Sequence, residues 1–236
     1  MKRILFLLSC IALFYSCSKD KDSYIDESKK YFPLEIGKQV IYEVDSIIWD
    51  DFTGTVDTHH YEMRWTITDT FRDNASRLCH TIEVELRDST AMNWEMHHVM
   101  YVMANETRLE YQEENLRFIK LIFPIEDGRS WDGNVEISTN SSEYQFLQAW
   151  KYTYAQTGQP YHNGILQFDQ TVTVNAIDKE ENIPKTDPYA YKIFAQEVYA
   201  KEVGMVYREM TYWVYDEHVS AYLSSFSVVM RAKEHN

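Results

Sequence analysis

The residues whose types suit chemistry are few, and their spacing decides what they could do. His59-His60 and His97-His98 are the obvious metal candidates, because neutral imidazole is the commonest metal ligand. On a strand, however, neighbouring side chains point to opposite faces, so neither pair can chelate one ion. A site would need one histidine from each pair, such as His60 with His98, and further ligands from elsewhere. No Cys/His/Asp spacing matches a zinc signature, so no metal and no cofactor are expected. His98 lies on an apolar stripe and reads as a hydrogen-bonded core histidine. Two carboxylate clusters, Glu110/Glu113/Glu114 and Asp178/Glu180/Glu181, would suit glycoside hydrolysis if held at the right separation. Runs of this kind are normally solvated turns. There is no G-x-S-x-G elbow and no phosphate-cradling glycine loop, and Cys79 has no evident basic partner. No catalytic residue is assigned, and the chain reads as a non-enzyme. A hydrolase acting on envelope or dietary polymers is the alternative.

Aromatic side chains are the remaining signal. Trp49, Trp94, Trp131, Trp150 and Trp213 have the ring area to line a sugar platform or an apolar cleft. Tyr152 and Tyr154, at i and i+2 on one strand face, and the stretch Tyr212 to Tyr215 are the first places to look for exposed rings. The preferred reading is that most of these rings fill a core, because aromatics dominate core energetics.

One cysteine carries a clearer chemistry. Lys2 and Arg3 precede an apolar run from Ile4 to Tyr15, broken only by Ser9 and Cys10. The run is shorter than the roughly 20 residues that span a bilayer, and its flanks are those of a signal peptide. It stops at Ser16-Cys17, and Ser18-Lys19-Asp20-Lys21-Asp22 follows at once. This order resembles the lipobox of bacterial lipoproteins. The small residue gives the peptidase access to the bond, and the Cys17 thiolate takes the diacylglyceryl group. Phe14 and Tyr15 are bulkier than the usual lipobox residues, as in the looser lipoboxes of Bacteroidota. Residues 1–16 therefore read as signal peptide and 17–30 as lipidated cysteine and tether. Residues 31–236 read as one β-rich domain.

Charge and cysteine usage narrow the partners. The net charge of −14 becomes −16 once Lys2 and Arg3 leave with residues 1–16. No basic cluster exists, so nucleic acid is not expected as a partner. An acidic surface also disfavours docking on anionic lipid, so the lipid itself must supply the membrane contact. With Cys17 acylated, Cys79 is the one thiol of the mature chain, and no internal disulfide can stabilise it. Stability must come from the core, to which 15% aromatic residues contribute large burial area.

The elements that must position these residues are strands. Tyr61, Met63, Trp65 and Ile67 alternate with polar neighbours, as do Leu78 to Leu86 and Met92 to Val102. Val40 to Val44, Leu166 to Val174, Tyr207 to Tyr215 and Tyr222 to Met230 repeat the pattern. Turn residues separate the runs, as at Gly54, Arg72 to Ser76, Asp127-Gly128 and Asn182 to Pro188. The pattern predicts ten or eleven strands in an antiparallel meander, curved into a half-barrel or open β-barrel. Ala190 to Lys201 fits either a strand or a helix.

Two segments echo each other. Phe32-Pro33-Leu34-Glu35-Ile36-Gly37-Lys38 matches Phe123-Pro124-Ile125-Glu126-Asp127-Gly128-Arg129, and each reads as the entry to a strand. The first copy, with Tyr31 before it and Tyr42 after it, the second copy ending in Trp131, and Tyr199-Ala200-Lys201-Glu202-Val203-Gly204-Met205-Val206-Tyr207-Arg208-Glu209 resemble a group of uncharacterised Bacteroidota lipoproteins. These carry an FPL-x-x-G-x-x-W opening and a late YAKGVGLVYKE-like segment. Val40 stands where that family often has Trp, and Glu202 where it often has Gly. The resemblance implies an exported β-rich domain and no catalytic residues. The Ser18-Lys19-Asp20-Lys21-Asp22 tether also looks like the acidic signals that send such lipoproteins to the outer face of the outer membrane. The expectation is a lipid-anchored, non-enzymatic protein of the outer membrane, at the cell surface or periplasmic face. Its partner would be a glycan, a lipid or another envelope protein.

Overall fold

The protein is described by a computed structural model covering residues 27–88 and 91–236. Cys17, the expected signal peptide and most of the expected tether lie outside the described residues. Among the described residues there are twelve strands: β1 (Gln39–Trp49), β2 (Val56–Arg72), β3 (Leu78–Asp88), β4 (Glu95–Ala104), β5 (Arg108–Glu113), β6 (Leu116–Ile122), β7 (Ser130–Trp131), β8 (Tyr152–His162), β9 (Gln167–Glu181), β10 (Tyr189–Ala200), β11 (Gly204–Asp216) and β12 (Ala221–His235). One short 3₁₀ turn, Gln145–Leu147, precedes β8. The strands form one antiparallel sheet in the order β6-β5-β4-β3-β2-β1-β12-β11-β10-β9-β8-β7, curled into a nearly closed barrel. The expected meander is present. The strand beyond the expected ten or eleven includes β7, whose two residues are too short to show a period. The ambiguous Ala190 to Lys201 stretch is β10, where cross-strand partners on both sides fix the extended backbone.

The period-two pattern sorts the wall into an inner and an outer face. Along the register Val44, Met230, Arg208, Glu197, Val174 and Tyr154 form one inward row. A barrel of twelve strands is wider than the eight-strand barrels whose own side chains fill them. The extra space is filled from both ends. At the end where the chain enters, here called proximal, buried Tyr31 and Phe32 insert, and the Phe32 ring meets Tyr111 at 5.4 Å and Tyr199 at 6.3 Å. At the opposite, distal end the long β7–β8 connection folds inward. Its Leu147 and Trp150 are buried, and Phe146 stacks on Tyr212 at 4.8 Å. Between these plugs lie Tyr42, Trp65 and Tyr111, packed edge to face.

The two matching motifs do the same work. Lys38 N donates to Glu35 O and Arg129 N to Glu126 O, both at 3.1 Å, and each turn feeds a strand at the proximal end, β1 or β7. Gly37 and Gly128 both have positive φ. Each copy thus opens a run of six strands, β1–β6 and β7–β12. The seams between the halves differ. β1 and β12 pair along their full length. Between β6 and the β7 region, Ile119 N donates to Gly133 O at 2.8 Å, Trp131 Nε1 donates to Ile119 O at 2.8 Å, and the Tyr154 hydroxyl bridges Ile122 N and O.

The folded body begins before residue 31. Ser28 is buried and Lys29 Nζ meets Glu106 at 2.8 Å, so within residues 27–30, expected in the tether, Lys29 reaches the β4–β5 turn and Ser28 Oγ accepts from Ile125 N.

Candidate functional site

The barrel interior is a packed core and not a ligand chamber. Among the described residues, voids that open on it measure about 30 and 40 Å³, room for a water or two and far below the roughly 300–1,000 Å³ of small-molecule sites. Its centre holds an ionic cluster. Lys120 Nζ on β6 donates to Glu197 Oε1 on β10 at 2.6 Å, Tyr199 OH donates to the other oxygen at 2.6 Å, and Arg208 lies 3.7 Å away. Burial lowers the Lys120 ammonium, with Glu197 pulling it back. Burial alone would raise the Glu197 carboxyl, but Lys120 and Arg208 outweigh it and hold it below its ordinary value. Each polar group of the cluster is thus taken up by another within the core.

The sequence candidates separate accordingly. Tyr152 and Tyr154, expected as exposed rings, are 2% and 1% exposed. They point inward from β8, where Tyr152 OH donates to Asn134 Oδ1 and Tyr154 OH holds the seam. Trp150 is buried under the distal plug with Nε1 donating to Phe146 O. Trp131 is half-buried against Tyr152 and Tyr154. Trp94 is clamped between the Arg64 and Arg87 guanidiniums, 4.5 and 4.3 Å from its ring. Trp49 and Trp213 are half-buried on either side of Tyr222. None of these rings faces a common cleft.

The titratable candidates also scatter. Glu110 lies on the outer face, buried among Arg77, Arg108 and Arg117. Glu113 lies on the inner side, 3.0 Å from His98. Glu180 pairs with Lys192. His60 meets Asp45 at 2.8 Å. Cys79 is buried on the outer face, where burial raises its thiol.

Besides an open hollow of about 520 Å³ at the proximal end, where Glu27, Lys30, Lys201 and Glu202 crowd its lining with charges paired among themselves, two concavities among the described residues have ligand dimensions. One, of about 580 Å³, runs along the outer face of β3–β5 near the proximal end. Phe71 and Tyr101 form its wall, 5.0 Å apart. Its main charged groups are paired with each other, Arg77 with Asp73 and Arg117 with Glu110.

The other, of about 480 Å³, is an open cup at the distal end. It exists because β9–β11 are long enough to extend past the plug. Alternation carries the inner face outward along β10 from Glu197 through Ala195 and Ile193 to Tyr191 and Tyr189. The same happens along β11 through Met210, Tyr212 and Val214. The cup is lined by Tyr189, Tyr191, Tyr212 and Phe146, with Gln145 and Gln148 exposed on the plug side. Tyr189 and Tyr191 stand 6.1 Å apart, tilted by 48°, and Tyr189 is 48% exposed. The rim is fixed: Asn182 Nδ2 donates to Tyr189 O and Glu217 N to Pro188 O, both at 2.9 Å, tying the two distal turns together. Of these residues the sequence reading reached Tyr212 alone. Tyr189 and Tyr191 have the same i, i+2 spacing as Tyr152 and Tyr154. The distinguishing signal is their place directly after the Pro188 turn, at a strand end and not its middle.

No family model matches the chain, and no curated protein matches it. Among solved structures, a Bacteroides fragilis protein described as exported with a YmcC-like fold is similar, at 9% identity and a TM-score of 0.43 over 87% of this chain and 98% of that one. A Parabacteroides distasonis protein described as a lipoprotein is similar at 10% identity and a TM-score of 0.36 over the same shares. At this level of overlap neither likeness bears on activity.

Proposed function

We propose that the protein is a lipid-anchored, non-enzymatic binding protein of the envelope, and that its ligand site is the distal cup. The observation that carries this reading is the cup itself: the exposed ring of Tyr189 beside the half-buried rings of Tyr191 and Tyr212, on a hydrogen-bonded rim at the end of the barrel opposite to the one where the chain enters. With Cys17 lipidated, the proximal end faces the membrane and the cup faces outward. The charged Ser18-Lys19-Asp20-Lys21-Asp22 tether favours the outer membrane, with the cup at the cell surface or periplasmic face. Carboxylates dispersed over both faces of the wall, several of them held by arginines, favour binding over hydrolysis.

The test pairs an exposed ring with a buried one. The Cys17→Ala chain is screened on arrays of glycans, phospholipids and envelope proteins. Tyr189→Ala is expected to abolish retention of the ligand with little change in melting temperature. Trp150→Ala is expected to lower the melting temperature. Retention unchanged in a Tyr189→Ala/Tyr191→Ala double variant would remove the cup as the site. Turnover of a polymer, lost on replacing one carboxylate, would overturn the non-enzyme reading.

A further inference from the structure

The chemistry of the cup narrows its ligand, and this step rests on the cup being the site. The lining combines ring faces with neutral hydrogen-bonding groups. Tyr189, Tyr191 and Tyr212 offer rings with hydroxyls, Phe146 a bare ring, and Gln145 and Gln148 exposed amides. A ligand matching this must have apolar faces wide enough to lie on a ring and a polar edge all round. Amphipathic side chains of this kind are favoured where one side of a contact is apolar and the other wet.

Charge excludes one class. Glu181 pairs across from Tyr191 and Asp216 across from Tyr189, so two carboxylates flank the exposed rings. Their charges help to raise the Tyr189 hydroxyl, after burial. Lys179 is the one cationic side chain on the lining, and the whole chain carries −14. Phosphate, sulfate and uronate groups are disfavoured there.

Geometry disfavours two others. An extended peptide recognised through its backbone needs a free strand edge. In the cup β10, which carries Tyr189 and Tyr191, is paired on both sides, to β9 and β11, so the strand of the rings offers no edge, and a peptide could add only to the far side of β9 beyond Asn175. An acyl chain needs an enclosed apolar channel, and the void beneath the plug is about 40 Å³. The plug closes the way down, with Phe146 stacked on Tyr212 and Leu147 and Trp150 buried beneath.

We infer that the distal cup binds a neutral carbohydrate, a short oligosaccharide whose ring faces stack on Tyr189 and Tyr191 and whose hydroxyls meet Gln145 and Gln148. Stacking needs only a ring face, so Tyr189→Phe should keep binding, whereas Tyr189→Ala should weaken it at least tenfold. Because no charge pairs across the contact, affinity should change little between low and high salt.

The test is titration calorimetry of the Cys17→Ala chain with neutral gluco-, manno- and galacto-oligosaccharides, a sulfated oligosaccharide, and phosphatidylcholine vesicles. The expected result is binding of at least one neutral oligosaccharide, salt-insensitive, kept in Tyr189→Phe and lost in Tyr189→Ala at unchanged melting temperature. Binding of the sulfated sugar or the vesicles alone, with the same Tyr189 dependence, would overturn the neutral-carbohydrate assignment and leave the cup as the site. Neutral-sugar binding indifferent to both Tyr189→Ala and Tyr191→Ala would overturn the cup itself. No binding of any neutral oligosaccharide would also overturn the inference.

Discussion

Lys120 and Glu197 meet at 2.6 Å in the middle of the barrel, both nearly shielded from solvent. A buried pair of this kind adds little relative to apolar residues of the same volume, but breaking it leaves a lone charge in a poor solvent. Lys120→Met is therefore expected to destabilise the chain by about 3–5 kcal/mol in denaturant unfolding. Adding Glu197→Gln should recover part of that loss, because the stranded carboxylate is gone. A second expectation concerns Trp150, whose ring is 4% exposed against Tyr152 and Phe146. Trp150→Ala should cost about 3–5 kcal/mol, as for large aromatic deletions in cores, while Tyr189→Ala should cost little. These residues also show what the sequence could and could not reveal. Alternation located Trp65 and Tyr154 on strands, because period two is a local property. It could not say which face of β8 turns inward, since Tyr152 and Tyr154 carry polar hydroxyls whose partners, Asn134 and Ile122, come from other parts of the chain. The ionic cluster was equally hidden, because Lys120 on β6 meets the Glu197–Arg208 pair of neighbouring β10 and β11 only after the sheet curls round.

At the scale of elements, the seam between β6 and the β7 region is the thinner of the two joints between the six-strand halves. It relies on close approach. A Cβ on Gly133 would lie 2.4 Å from the Tyr152 ring, which is buried and held through Asn134, and the Gly133 carbonyl is the acceptor for Ile119 N. Gly133→Ala should thus displace Tyr152 and open the seam, whereas Gly128→Ala, with nothing within 4 Å of its Cβ position, meets only its positive φ. Tyr154→Phe removes the hydroxyl that satisfies both Ile122 N and Ile122 O. Leaving those groups unpaired should cost about 1–3 kcal/mol. Hydrogen exchange checks both variants: the amides of Ile119 and Ile122 should lose protection before those of the β1–β12 seam. The duplicated motif was legible because its prolines and glycines dictate backbone shape locally. The six-strand halves were not, because the sequence after each copy diverges while the pairing persists. The free side of β8 carries Pro160, which cannot donate to another strand and so guards this edge against pairing with a second chain.

At the scale of the molecule, stability depends on pH through the groups that folding perturbs. Glu113 and Glu197 lie within the barrel; burial would raise both, but His98 with Arg208, and Lys120 with Arg208, hold their carboxyls below the ordinary value. Outside, His60 and Arg231 hold Asp45 low, and Lys233 and Arg87 hold Glu62 low against its burial. A carboxyl depressed by folding contributes stability that is present above its unfolded pKa, about 4, and is lost as pH falls through the folded value. His80 and His235 are lowered by burial, His235 also by Lys38. The unfolded chain therefore takes up their protons first, and stability declines as pH falls below about 6.5. The expected melting-temperature profile of the Cys17→Ala chain has two descending steps from pH 8 downward. A shallow one begins near the histidine range, and a steep one lies below the carboxylate range. His80→Gln should shrink the upper step and leave the lower one in place. The lower step belongs to ion pairs on both faces, so high salt should soften the part due to exposed Asp45 and leave the buried Glu197 part unchanged. A profile flat from pH 7.5 to 5.5, or an unchanged upper step in His80→Gln, would mean that His80 is not held neutral by the wall around it. Stability rising on acidification through the carboxylate range would contradict the charged Lys120–Glu197 pair at the centre of the barrel.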